Sequence, residues 1–273
     1  MKEMISGGLR AACDILLPRK CLACGRILLR NEEHLCLGCL ADMPRTFYWS
    51  RSRNPMADRF NDRIQTNSEE GQSSDKGFTI FTSDTTGGVC HEHYAYAAAL
   101  FFYRSEASYK LIPYQIKYHG NIQAGRYFGR MLGRKLASSE LYSDADLVIP
   151  VPLHWTRKWK RGYNQAEVIA RAVAGELGTV VRTDLLKRIR RTGTQTKVEV
   201  ESKSGNVSGA FIVDKKIAAE IINSRKGPRH ILIVDDVFTS GSTLYSCFVA
   251  LREVFPPSSV RISVATLGFV GGV

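Results

Sequence analysis

The sequence predicts an α/β fold, a parallel doubly wound sheet carrying a small zinc-binding module near the N-terminus. Three observations predict it. Short apolar runs such as Leu147–Val151, Ile231–Val234 and Val260–Leu267 alternate with helix-period segments, the pattern of βαβ units. The run Ile231–Val234 is uninterrupted, as in a strand buried on both faces, and passes through two acids and a hydroxyl-rich turn into a helix-period segment. Two Cys-x-x-Cys pairs stand within the first forty residues.

Composition bounds the rest. A chain of 273 residues has room for one α/β domain and a smaller module, and an apolar fraction of 44% supports a real core. No apolar run approaches the ~20 residues of a membrane span. Met1 to Arg10 lacks the apolar core of a signal peptide, so a cytoplasmic protein is expected. The net charge of +12 points to anionic partners, polyphosphate or nucleic acid, without choosing between them. Seven cysteines without an export signal argue for metal ligation rather than disulfides.

In chain order, residues 1–50 form the module. Cys21-x-x-Cys24 and Cys36-x-x-Cys39 each put two thiolates on a tight turn, and two such turns close a tetrahedral shell around zinc. The shell is full, so the zinc is structural and His34 is left as a surface residue. Residues 51–93 read as a polar linker or insert, expected to be disordered, because small polar residues dominate from Arg59 to Gly88. Cys90, His91 and His93 fall together there by chance.

Residues 94–273 form the main domain. Tyr94–Tyr103 reads as a strand, Ser108–Tyr118 as a helix interrupted at Pro113, and Ile122–Leu136 as a helix whose Gly129 and Gly133 mark close packing. Leu147–Pro152 is a buried strand ended by proline. Next comes a loop with Trp155, Arg157, Lys158, Trp159, Lys160 and Arg161, then an amphipathic helix from Ala166 to Leu177. Four cations and two tryptophans fit a binding loop for pyrophosphate or, by stacking, for single-stranded nucleic acid; they also fit a solvated basic turn. Leu185–Arg191 reads as a short basic strand. Thr192–Gly209 suits either a mobile hood over a site or a plain hairpin connection.

The turn after Val234 carries the most specific signal. Asp235 and Asp236 suit ribose hydroxyls, and Thr239, Ser240, Gly241, Ser242 and Thr243, leading into a helix, form a cradle for a phosphate. No Gly-Lys-Ser/Thr stands at Walker spacing. The stretch resembles the binding loop for phosphoribosyl pyrophosphate (PRPP) in type I phosphoribosyltransferases. That likeness implies Asp235 and Asp236 on the ribose 2- and 3-hydroxyls and residues 239–243 on the 5-phosphate, with Mg²⁺ arriving on the substrate.

Over nearly its whole length the chain also resembles the ComF family of competence-associated proteins. The likeness rests on the paired Cys-x-x-Cys, Ile116-Lys-Tyr118, Ile149-Pro-Val-Pro-Leu-His154, Arg161-Gly-Tyr-Asn-Gln165, Arg191-Thr-x-Thr-Gln195, Asn206-Val-x-Gly-Ala-Phe211 and the PRPP-like loop. It implies a zinc module fused to a type I phosphoribosyltransferase fold, a pyrophosphate loop after Val151, a hood containing Arg191, Gln195 and Asn206, and a part in handling single-stranded DNA during competence. Trp155 stands where the family usually has proline. Two functions remain open at this level. One is an enzyme transferring phosphoribosyl from Mg²⁺–PRPP to a nitrogenous acceptor; the other is a non-catalytic single-stranded-DNA-binding competence protein that keeps the nucleotide pocket for recognition.

Overall fold

The computed structural model describes residues 18–70, 92–104, 108–189, 209–224 and 229–271, with side chains of the first span up to residue 66. In chain order the elements are α1 (Leu37–Ala41), α2 (Pro55–Glu70), β1 (Ala97–Phe102), α3 (Leu111–Tyr118), α4 (Ile122–Ala137), β2 (Leu147–Pro150), α5 (Trp155–Arg161), α6 (Gln165–Leu177), β3 (Val180–Val181), β4 (Leu186–Arg188), β5 (Phe211–Val213), α7 (Lys215–Ile222), β6 (His230–Phe238), α8 (Ser242–Arg252) and β7 (Arg261–Phe269). Five strands form one sheet in the order β1-β7-β6-β2-β3. Every pairing in it is parallel, with Leu147 opposite Ile231 and Ile231 opposite Ile262. β4 and β5 make a separate antiparallel ladder.

Strand alternation builds two cores, one on each face. Ala97, Ile149, Ile231, Ile233 and Val264 pack with α2 and α8, while Ala98, Val148, Leu232, Val234 and Ala265 pack with α4 and α6. Helices on both faces make the sheet doubly wound, as the sequence predicts. The glycines of α4 bring α6 very near. A Cβ on Gly129 would stand 2.8 Å from that of Ala172 and 3.0 Å from the Ile169 carbonyl, and one on Gly133 would stand 2.9 Å from Glu176 Cβ. Gly125 makes the same approach to Val168, so the close packing spans about two helical turns.

The structure departs from the sequence reading in four places. The start of the expected linker is helical: α2 buries Met56, Ala57, Phe60 and Ile64 in the main core. Asn54, just before it, donates through Nδ2 to Ala97 O of β1 (3.0 Å), and Asn61 within it donates through Nδ2 to Ala95 O, just before that strand (2.9 Å). Residues 71–91 of that segment lie outside the described residues.

The described residues of the module share their core with the main domain. Cys21, Leu28, Leu35, Cys36 and Met43 join the cluster of Ile112, Phe128 and Leu132. His34 is half-buried against the rings of Tyr127 (5.2 Å) and Phe128 (6.4 Å) rather than free on the surface. The chain leaving the module runs along β1, where Thr46 N donates to Leu100 O and Phe102 N to Pro44 O.

The basic stretch after β2 is a helix, α5, and not a loop. His154 caps its start and Gly162, at φ +78°, ends it, with Gly162 N donating to Lys158 O (2.8 Å). Last, β6 continues four residues beyond Val234, held by β7 through pairs such as Asp235–Thr266 and Val237–Gly268. Both acids therefore lie inside a strand.

Candidate functional site

The cradle forms where β6 turns into α8. Gly241 adopts φ +77°, and a Cβ there would fall 2.6 Å from the Phe238 ring, so this position requires glycine twice over. The N-cap residue, Gly241, has no side chain with which to cap α8, so an anion can take the place of a capping oxygen at this helix end. Ser240 Oγ and Ser242 Oγ lie 2.8 Å apart, and Ser242 N donates to Ser240 Oγ (3.4 Å). Thr239 and Ser240 are exposed, while Ser242 and Thr243 are half-buried. Arg59 of α2, unforeseen in sequence, steadies the turn by donating to Thr239 O (3.3 Å) and Val270 O (2.9 Å).

Consecutive strand residues point to opposite faces, and this separates the two acids. Asp236 is 4% exposed and faces α3, where Lys117 Nζ lies 3.6 Å from its Oδ2. Its Oδ1 accepts from Val237 N (2.9 Å). Asp235 turns toward Cys247 and Arg188, and its Oδ1 accepts from Asp236 N (2.8 Å). Desolvation first, and then the charge of Asp236, push the Asp235 carboxyl well above the usual range. The Lys117 ammonium is held above its ordinary value, chiefly by Asp236.

On the Lys117 side opens a cleft of about 440 Å³ lined by Lys117, Tyr118, Gly120, Arg157, Lys160, Arg161 and Tyr163. Three of the four cations singled out in the sequence line it; Lys158 does not. Arg161 stacks over the Tyr118 ring (5.3 Å) and donates to Gln165 Oε1 (2.8 Å). Among the described residues neither Tyr163 Oη nor Asp236 Oδ2, both buried, has a hydrogen-bond partner. Trp155 and Trp159, one helical turn apart on α5, are 71% and 84% exposed. Lys117 and Tyr163 were visible in the sequence only as members of family-like motifs. Arg191, Gln195 and Asn206 lie outside the described residues, which leaves the expected hood undescribed; β4 and β5, on either side of it, pair antiparallel.

The second candidate site is the cysteine set. The sulfurs of Cys21, Cys24, Cys36 and Cys39 all lie within 4.8 Å of one another, with Cys24 and Cys36 at 3.8 Å. A tetrahedron with Zn–S bonds of about 2.3 Å has edges of about 3.8 Å, so the four fit zinc. Backbone amides already point at the sulfurs: Cys39 N donates to Cys36 Sγ and Cys36 N to Cys21 Sγ, both at 3.4 Å. The Cys39 amide, helped by Arg26, holds the Cys36 thiol down to about 6.

No family model matches the chain. It is 32% identical over 110 residues to Competence protein F of Haemophilus influenzae, a match covering 40% of this chain and 45% of that protein. DNA utilization protein YhgH of Salmonella typhi is 26% identical over 137 residues, covering 49% and 56%. The Escherichia coli protein of that name is 30% identical over 99 residues, covering 36% and 40%. The chain thus spans about half the length of the curated relatives it matches. These homologues bear out the likeness to the ComF family drawn from the motifs.

Proposed function

We propose that the chain binds a ribose 5-phosphate-type ligand, PRPP in its full form, and transfers the phosphoribosyl group to a nitrogenous acceptor. The observation that carries this reading is the uncapped start of α8 at Gly241, one turn beyond the acid pair of β6. A 5-phosphate at that helix end gains backbone N–H donors and the favourable end of the dipole. Asp236, with one carboxylate oxygen lacking a hydrogen-bond partner among the described residues, accepts from a ribose hydroxyl. Asp235, on the opposite face, contributes less. The parallel sheet, with helices on both faces and an antiparallel β4–β5 ladder beside α8, supports a type I phosphoribosyltransferase kind of fold.

The pyrophosphate end then meets Arg157, Lys160 and Arg161 across the cleft. Cations there stabilise the leaving group as the C1–O bond breaks with its electron pair going to a pyrophosphate oxygen. The acceptor nitrogen forms the C1–N bond and releases a proton to solvent. Mg²⁺ comes with PRPP and offsets part of its charge. The names of the relatives support a place for this chemistry in competence and DNA utilisation; DNA-processing partners and a cytoplasmic location are part of the same proposal. Calorimetry with ribose 5-phosphate and with Mg²⁺–PRPP tests the reading; no heat from either at millimolar ligand overturns it.

One observation favours a second reading. The exposed Trp155 and Trp159 beside Lys158 and Lys160 form a stacking surface suited to single-stranded DNA. Alanine at each tryptophan should then weaken oligonucleotide binding by about 1–3 kcal/mol. Unchanged binding in both variants would remove this reading.

A further inference from the structure

We infer that Lys117 and Tyr163 are ligand contacts for the diphosphate end of the ligand, with Lys117 acting as a counter-ion shared between Asp236 and that anion. This rests on the phosphoribosyl-ligand reading above and extends it to Lys117 on α3 and to Tyr163 in the connection between α5 and α6.

Three incompletely satisfied groups meet around the cationic cleft. Lys117 lines it, and its ammonium stands 3.6 Å from Asp236 Oδ2, an ion-pair distance longer than a hydrogen bond. Asp236 Oδ2 is buried and, among the described residues, accepts no hydrogen bond. Tyr163 also lines the cleft, and its buried hydroxyl has no partner among the described residues. Buried polar atoms in native proteins are nearly always paired, and leaving one unpaired costs about 1–3 kcal/mol. Such atoms gathered at one cleft mark a place completed by a ligand.

Their chemistry states what that ligand offers. An ammonium and a phenol O–H are donors, and Arg157, Lys160 and Arg161 add positive charge on the same walls. They call for an anion with several acceptor oxygens. The open carboxylate oxygen calls for a donor or a cation next to that anion. A diphosphate beside a sugar hydroxyl supplies both. In the empty site Lys117 balances the charge of Asp236. When a ribose hydroxyl or a divalent cation takes up Asp236 Oδ2, the ammonium, 35% exposed in its side chain, is free to turn to the diphosphate. The helix carrying it is anchored by Ile112 and Ile116, both fully buried, so only the side chain has to move.

The test is calorimetry on the full zinc-loaded chain with two probes, inorganic pyrophosphate with Mg²⁺ and ribose 5-phosphate. Lys117→Met is expected to lose about 10-fold or more in pyrophosphate affinity, the size of one charge-assisted hydrogen bond. Its ribose 5-phosphate affinity should stay within about threefold, because that ligand's phosphate uses the α8 cradle. Tyr163→Phe should weaken pyrophosphate several-fold, and Lys117→Arg, which keeps the charge and guards against a folding defect, should restore most of the binding. If the parent binds ribose 5-phosphate while Lys117→Met and Tyr163→Phe both bind pyrophosphate like the parent, this inference is overturned and the phosphoribosyl reading stands. A parent that binds neither probe overturns both.

Discussion

Lys117 and Asp236, from helices and strands far apart in the sequence, meet at 3.6 Å on one face of the sheet, while Asp235 is turned to the other. A motif that reads as a matched pair of carboxylates is thus two groups in unlike surroundings. Asp236, the more buried, keeps a cation, while Asp235, half-buried and turned from Lys117, has its carboxyl pushed up by desolvation and by the charge of its neighbour.

The acids should therefore differ on substitution. Asp236→Asn should abolish ribose 5-phosphate binding, whereas Asp235→Asn should weaken it only modestly. Asp235→Asn should also stabilise the ligand-free protein by about 1 kcal/mol, or about 2–4 °C in midpoint, by removing a desolvated acid beside another. Because the folded-state pKa of Asp235 is raised above 3.8, the parent loses stability as pH climbs from that value through the folded pKa. The advantage of the variant should grow over the same interval. Thermal midpoints at pH 4 and pH 8 measure this, and an equal gap at both would refute the assignment.

Gly241→Val is expected to do more than block a phosphate. The branched side chain meets the Phe238 ring at a backbone angle it resists, and Phe238 is fully buried against Phe60 and Phe269. A loss of about 1–3 kcal/mol should accompany the loss of binding. Denaturant unfolding of the variant provides the check, and parental stability would show that the turn can relax.

One zinc per chain is expected on Cys21, Cys24, Cys36 and Cys39. Since Cys21 and Cys36 share a core with Ile112 and Phe128, and Cys39 packs against it, losing the metal through Cys24→Ser should lower the midpoint of the whole chain and not merely loosen residues 20–45. Elemental analysis with a thermal scan decides. Less than half an equivalent of metal, or an unaltered midpoint, contradicts it.

At the other end of the sheet, His230 Nδ1 lies 2.8 Å from Asp144 and 3.0 Å from Arg261 Nη2, and its Nε2 lies 2.9 Å from Ser263 Oγ. Burial first, with Arg261 assisting and Asp144 and Asp146 opposing, holds the imidazole below 6.5. The unfolded chain then binds the extra proton more readily, so stability is full above pH 6.5 and falls as pH drops toward the folded pKa. His230→Gln should flatten that fall. Denaturation midpoints at pH 5.5 and 7.5 report it, and identical slopes for parent and variant exclude the role.

Local spacing made some of this legible. The cysteine pairs, the strand Ile231–Val234 and the glycines of α4 each declare themselves within a few residues, because the chemistry they serve is local. Helix α2 was obscured by its composition. Its Asn, Asp and Arg residues outnumber the apolar ones, yet Met56, Phe60 and Ile64 recur at four-residue intervals, a helical stripe that a count of polar residues conceals. The cleft was the least legible part. Lys117 joins Asp236 only once α3 docks, and nothing in either segment alone foretells a tertiary ion pair. The continuation of β6 past Val234 was set in the same way, by β7 as its partner rather than by the polarity of the acids.

The contact of residues 44–46 with β1 has a consequence for how these molecules behave in company. A parallel sheet carries two flanks at which a stranger's backbone can dock. Here one flank is already occupied by Pro44 and Thr46, and the other is a strand of two residues. Among the described residues little backbone remains for recruitment, so concentrated solutions should resist templated polymerisation. The guard on the first flank follows directly after the cysteine set. Stripping the metal would therefore bare it, and chelator-induced light scattering that zinc reverses is the expected sign.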